Sequence, residues 1–177
     1  MKKSNYSTKV YSSKKLAFGL NLFPPLFFNK IKIESVNENF TKLKVVVRYS
    51  WMNRNIQKAI FGGTIFSAFD PYYAVMYWQI FSQLKAPMQV WVKKAEINYL
   101  KPAKSDLTID FTLNDIDIRN AIEQLKVDYK YEVTHTAKAI DEEGEVCAEA
   151  KILIYILTFG WQRQHLHKKY HRCICHG

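Results

Sequence analysis

The 177-residue chain has few cysteines, glycines and prolines: three, six and five. Three cysteines make no secreted disulfide framework. So little glycine and proline excludes collagen-like and low-complexity chains. Histidine is scarce too, and His135 is the only one in the first 160 residues. The body of the chain also lacks excess charge. Of the formal net charge of +10, residues 1–15 carry +5 and residues 161–177 carry +4, which leaves +1 on the 145 residues between them. Basic ends hold polyanions or anionic lipid weakly and without sequence preference. No basic stripe runs through the body, so no specific nucleic-acid partner is expected.

Long hydrophobic runs are broken wherever they begin. Leu16–Phe28 is interrupted by Gly19, Asn21 and Pro24-Pro25 and has no small-residue cleavage site, so a signal peptide is not expected. Thr64–Phe81 alone could be weighed as a membrane span, and it carries Asp70-Pro71 near its middle. A carboxylate there is expensive in lipid. The expectation is a soluble, cytoplasmic protein with no membrane span.

What is present is apolar substance: 48% hydrophobic and 15% aromatic residues. That content excludes whole-chain disorder. The length suits one domain burying roughly two-thirds of its unfolded surface. The expected organisation is a flexible basic N-terminus over 1–13, a single domain over 14–160 and a basic His/Cys tail over 161–177. The tail gathers His165, His167, His171, Cys173, Cys175 and His176, a composition that can bind zinc or copper. Its H-x-H and C-x-C spacings match no closed structural zinc pattern. A flexible tail is therefore expected, and neither metal nor cofactor.

Residues 14–29 read as a helix ending at the two prolines, followed by a short turn. Ile31–Asn37 and Lys42–Tyr49 read as a hairpin around Asn37-Glu38-Asn39. Thr64–Leu84 is apolar on nearly every side, the pattern of a long buried helix. Gln89–Tyr99, Asp106–Asn114, Lys126–Ile140 and Glu145–Thr158 read as strands, with one or two helical turns over Ile118–Leu125. Glu142-Glu143-Gly144 marks a tight turn between the last two strands. A helix that is apolar all round needs cover on most sides. The expected α+β architecture is one long, strongly curved antiparallel sheet wrapped around that central helix.

The chemistry concentrates in Asn53–Tyr73, NRNIQKAIFGGTIFSAFDPYY. A glycine pair at a helix start leaves N–H groups unpaired at the positive end of the dipole, which suits a developing oxyanion. Asp70 is the only charged residue between Lys58 and Lys85, and a carboxylate on a buried helix is a site candidate. Pro71 should kink the helix beside it. Alternatively, Asp70 caps a second helix beginning at Pro71. Arg54 could fork onto a phosphate or pair with a carboxylate.

Asn53-Arg54-Asn55, Phe61-Gly62-Gly63, Asp70-Pro71-Tyr72 and the run from Trp91 to Lys101-Pro102 together resemble the hot-dog-fold thioesterase superfamily over about residues 14–158. More narrowly they resemble a branch with an N-R-N, F-G-G, D-P pattern. The resemblance implies a hot-dog fold and hydrolysis of an acyl-CoA or acyl-carrier thioester, in a homodimer or dimer of dimers with the site shared between subunits. In the phenylacetyl-CoA type, a glycine amide polarises the thioester carbonyl, the position matched by Gly62 beside Gly63. An aspartate from the partner subunit acts as nucleophile or base, the position matched by Asp70. An upstream asparagine orients the site, and Asn55 matches it. Arg54, Thr64, Ser67 and Tyr73 are the expected substrate-binding residues. Relatives commonly carry a histidine where this chain has Ile60 or Phe61. That difference keeps a second expectation open: a non-catalytic acyl-ligand binding protein of the same fold. Since His135 is the body's only histidine, a dehydratase is disfavoured.

Overall fold

The computed structural model describes residues 9–86 and 88–158. The expected basic N-terminus falls largely outside these residues, and the His/Cys tail wholly so. Two short helices open the chain, α1 over Ser13–Asn21 and α2 over Pro24–Phe28. Ser12 caps α1 by accepting from Lys15 N, and the proline pair occupies the first turn of α2, where missing N–H groups cost nothing. The strands are β1 (Ile31–Val36), β2 (Lys42–Val47), β3 (Gln89–Tyr99), β4 (Leu107–Thr112), β5 (Lys130–Ile140) and β6 (Val146–Leu157). Between β2 and β3 lie α3 (Gly62–Phe69) and α4 (Tyr72–Gln83), and α5 (Asp115–Val127) joins β4 to β5.

Among the described residues, six strands pair antiparallel in the order β1-β2-β4-β5-β6-β3. The alternation along β6 is the clearest, with Ile152, Ile154 and Ile156 inward and Lys151 outward. Against the inner face sit Tyr72, Met76, Tyr77 and Phe81 of α4, fully buried, with Tyr72 and Tyr73 both against Phe111 of β4.

The architecture corrects the expected one. The sheet is open, ending in β1 and β3, and it neither closes nor curls strongly around a central rod. Its two halves meet at a narrow waist, where β4 and β5 share only Thr108↔Ile140 and Ile109↔Ala139. The helix itself is bent. Pro71 has no N–H to return to the Ser67 carbonyl, so the run divides at Asp70-Pro71. Both residues keep right-handed helical torsions, so the axis bends without reversing. Part of the cover comes from elsewhere, because α1 and α2 pack on β1. Asn21 satisfies the bulged edge of β1, accepting from Ile33 N at 2.7 Å and donating to Ile33 O at 3.2 Å.

Candidate active site

The segment between β2 and α3 is polar yet held firmly. Asn53, 3% exposed, is its anchor. Its Oδ1 accepts from Ser50 N at 3.0 Å, and its Nδ2 donates to Asn29 O and Arg48 O, each at 2.9 Å. Asn55 closes a tighter turn: its Oδ1 accepts from Gln57 N and Ala59 N, and Lys58 adopts φ 58°. The chain then returns through an Arg54–Ile60 bridge, with Ile60 N donating to Ala103 O at 2.8 Å and Phe61 N to Asn53 O at 2.7 Å. These bonds deliver Gly62 to a fixed position.

No side chain caps α3. Thr64 N and Ile65 N both return to Phe61 O, at 2.9 and 3.2 Å. The N–H groups of Gly62 and Gly63 have no acceptor among the described residues. Gly62 forms part of the wall of a cleft of about 300 Å³, with Asn55, Ile60, Ile65, Tyr99 and Lys101 around it. The Tyr99 hydroxyl donates to Gly62 O at 2.9 Å, and a Cβ on Gly62 would stand 3.3 Å from the Tyr99 ring. Gly63 is needed for a different reason. A Cβ there would lie 2.4 Å from the ring of Phe61, which covers it. Lys101 pairs with Asp141 at 3.0 Å, and that carboxylate raises its pKa, so it is a lasting cation in the cleft wall.

The other expected site residues are placed as follows. Ser67 Oγ donates to Gly63 O at 2.9 Å, one turn along α3. Thr64 is buried, and its hydroxyl donates to Asn29 Oδ1 at 2.7 Å, tying the helix start to the end of α2. Arg54 is exposed and makes no ion pair among the described residues. Asp70 is exposed as a residue, yet the protein around its carboxyl displaces enough water to raise its pKa, and desolvation is the only cause. It caps no helix through its side chain. Tyr73 is buried away from the cleft, donating its hydroxyl to Thr136 O at 2.9 Å and stacking on His135 at 4.6 Å. Asn55 and Gly62 thus share one cleft; Asp70, Tyr73 and Thr64 do not line it.

Residues 16–156 match the family described as a domain of unknown function, DUF4442. The chain belongs to the DUF4442 family. No functionally curated protein matches it in sequence. Among solved structures, this DUF4442 chain is similar to a protein of unknown function from Chlorobaculum tepidum, at 17% identity and TM-score 0.69, covering 82% of this chain and 94% of that one. A Pseudomonas aeruginosa protein named as a probable thioesterase is 19% identical at TM-score 0.69, covering 85% and 99%. A thioesterase from Haemophilus influenzae is 12% identical at TM-score 0.61, covering 86% and 95%. At such identities the likeness establishes the fold. The DUF4442 chain shares the fold of these structures, here an open six-stranded sheet with a bent central helix. Among the described residues, no helix is long and apolar enough to cross a membrane.

Sequence reasoning gave no role to Tyr99, Lys101, Asn53 or Asn29. The signal for the first three was present: Tyr99 and Lys101 stand in the Trp91–Pro102 run, and Asn53 opens N-R-N. Asn29 lies outside every motif and joins the site only through the folded chain.

Proposed function

We propose that the protein hydrolyses an acyl thioester, as a homodimer in the cytoplasm, in the manner of the phenylacetyl-CoA thioesterase type that its N-R-N, F-G-G and D-P segments resemble. The observation that carries this reading is the uncapped start of α3 in the wall of a cleft lined by both polar and apolar side chains. A thioester carbonyl there accepts hydrogen bonds from Gly62 and Gly63 N–H. Those donors gain strength as charge gathers on the oxygen in the tetrahedral intermediate. Asn55 has committed its Oδ1 to the turn, which leaves its Nδ2 as the donor for the substrate.

The base comes from a second copy. Asp70 stands eight positions after Gly62, about 12 Å along the helix at 1.5 Å per residue. A carboxylate that far along the same helix does not reach a carbonyl held at Gly62, whereas the partner subunit's Asp70 can be brought to it. Its raised pKa makes it a stronger base than an ordinary aspartate. It removes a proton from water, the water oxygen bonds to the carbonyl carbon, the C–S bond breaks, and the thiolate leaves with the proton. Ile60 and Ile65 supply apolar wall for the acyl group. Lys101 and Arg54, which makes no ion pair among the described residues, supply cations for carrier phosphates.

One observation favours a second reading, an acyl-ligand binder without turnover: the Phe61 ring lies over Gly63, beside one of the two donor amides. The experiment that separates the readings is thiol release from acyl-CoAs running from acetyl to palmitoyl, with phenylacetyl included, by the wild type and by Asp70→Asn. Release that disappears in the variant supports hydrolysis. Acyl-CoA binding without release in either protein supports the binder.

A further inference from the structure

The segments running from α1 through α2, and from β2 to α3, expose large apolar side chains in unusual density. On α1, Phe18 (67% exposed) and Leu22 are four residues apart on one face, and Lys14 extends the same row. Phe23, Phe27 and Phe28, at the start and along α2, are exposed as well, with the last two in an edge-to-face contact at 5.5 Å and Lys30 Nζ standing 5.7 Å from the Phe27 ring. The Asn53 side chain bonds the next loop to Asn29 at the end of α2. That brings Trp51, 76% exposed, and Met52 to the same end of the molecule.

The charge in this stretch is of one sign. Residues 14–33 hold Lys14, Lys15, Lys30 and Lys32 and no acidic residue, and Glu34, which follows, is paired with Lys44 at 3.4 Å. Glu38, next to α1, is already accepting from Ser13 Oγ at 2.7 Å. From this juxtaposition we infer that the α1–α2 face docks on an anionic lipid surface, with Phe18, Phe23, Phe27, Phe28 and Trp51 entering the headgroup boundary and the lysines meeting lipid phosphates.

Exposed phenylalanines and leucine interleaved with lysine are the composition of helices that lie in a bilayer interface. Each lysine near an anionic leaflet strengthens binding about fivefold, and two signals together give stable attachment where one does not. A second copy of the chain is the poorer occupant. A two-fold interface would set this lysine-rich face against itself, lysine opposing lysine. The inference is independent of the thioesterase reading.

The test is sedimentation of the full chain with phosphatidylcholine vesicles and with phosphatidylcholine–phosphatidylserine vesicles, for wild type, Phe18→Ser/Phe28→Ser and Lys14→Gln/Lys15→Gln/Lys30→Gln. The wild type should pellet with the anionic vesicles and at least tenfold less with the neutral ones. The lysine variant should lose on the order of a hundredfold in affinity for anionic vesicles. The phenylalanine variant, which keeps every charge and both chain ends, should lose at least tenfold. The changed side chains are exposed apart from Lys30, which is half-buried against Phe27, and far-UV circular dichroism checks that each variant is folded. If the phenylalanine variant binds as the wild type does, the basic ends alone hold the vesicle and the inference fails. A wild type that ignores both vesicles, or patch variants that change only the sedimenting mass of the free protein, overturns it as well.

Discussion

Tyr99, the last residue of β3, holds Gly62 at the first position of α3, hydroxyl to carbonyl at 2.9 Å, with its ring against the glycine's α-carbon face. The contact joins an edge strand to the proposed oxyanion donor. Replacing Gly62 with Ala puts a Cβ 3.3 Å from that ring. The exposed ring can yield by a few tenths of an ångström, so stability should change by less than about 1 kcal/mol. Misplacing the donor at the reacting carbonyl should cost turnover about tenfold. Thermal melting and kcat/KM, measured side by side, check the split. A loss of melting temperature equal in energy to the loss of turnover would make Gly62 a packing residue only.

The two asparagines of the N-R-N segment should behave differently. Asn53→Ala removes three hydrogen bonds and strands the Asn29 and Arg48 carbonyls, so it should cost about 2–4 kcal/mol in denaturant unfolding. Asn55→Ala loses only bonds within its own part-exposed turn, about 1 kcal/mol or less, and should mainly lower turnover.

Asp70→Asn should abolish thiol release while leaving the fold as stable or more stable. The folded-state pKa of Asp70 is raised, so whatever stability it contributes is present below the unfolded value near 3.8 and is lost as pH rises through the folded one. Removing the charge therefore helps at neutral pH. In the wild type, kcat/KM should climb with pH through an apparent pKa above that of an ordinary aspartate, because the base must be deprotonated. Melting curves at pH 7 and a pH–rate profile are the checks.

His135 should make the fold sensitive to mild acid. It is buried, stacked on Tyr73 and hydrogen-bonded through Nε2 to Tyr77 Oη at 3.0 Å, and desolvation lowers its pKa. A base whose folded pKa is depressed contributes stability above its unfolded value near 6.5, and loses it as pH falls toward the folded one. Melting temperature should fall below pH 6.5, and less steeply in His135→Gln, which keeps a polar partner for Tyr77.

Much of this structure is legible in the sequence because it is local. The hairpin turn at Asn37, the strands β3 and β6 and the Gly144 turn, at φ 86°, follow from alternation and turn chemistry. The helix over Ile118–Leu125 proves longer, Asp115–Val127, because the Asn114–Asp117 capping box starts it earlier than its apolar spacing shows. The break at Asp70-Pro71 was readable as a kink, but whether one helix or two results depends on torsions the apolar pattern does not encode. Sheet curvature was not readable. Strand pairing is a long-range property, and β4 and β5 share only two residue pairs among the described residues. In the site, Asn55 and Gly62 are linked by a short loop and could be paired from spacing. Thr64 and Tyr73 lie near them in sequence, yet their hydroxyls bond to Asn29 and Thr136, partners 35 and 63 residues away.

The central claim is a thioester site built from α3 of one subunit and Asp70 of another. The direct measurement is thiol release by a mixture of two variants, Asp70→Asn and Gly62→Val, unfolded and refolded together, using the acyl-CoA that the wild type cleaves fastest. Each variant alone should be inactive. In the mixed dimer one site has both an intact Gly62 and the partner subunit's intact Asp70, so the mixture should recover up to about a quarter of wild-type activity, by random pairing of two-fold dimers. A mixture no more active than its components, prepared from variants that each fold and dimerise, would contradict the shared site.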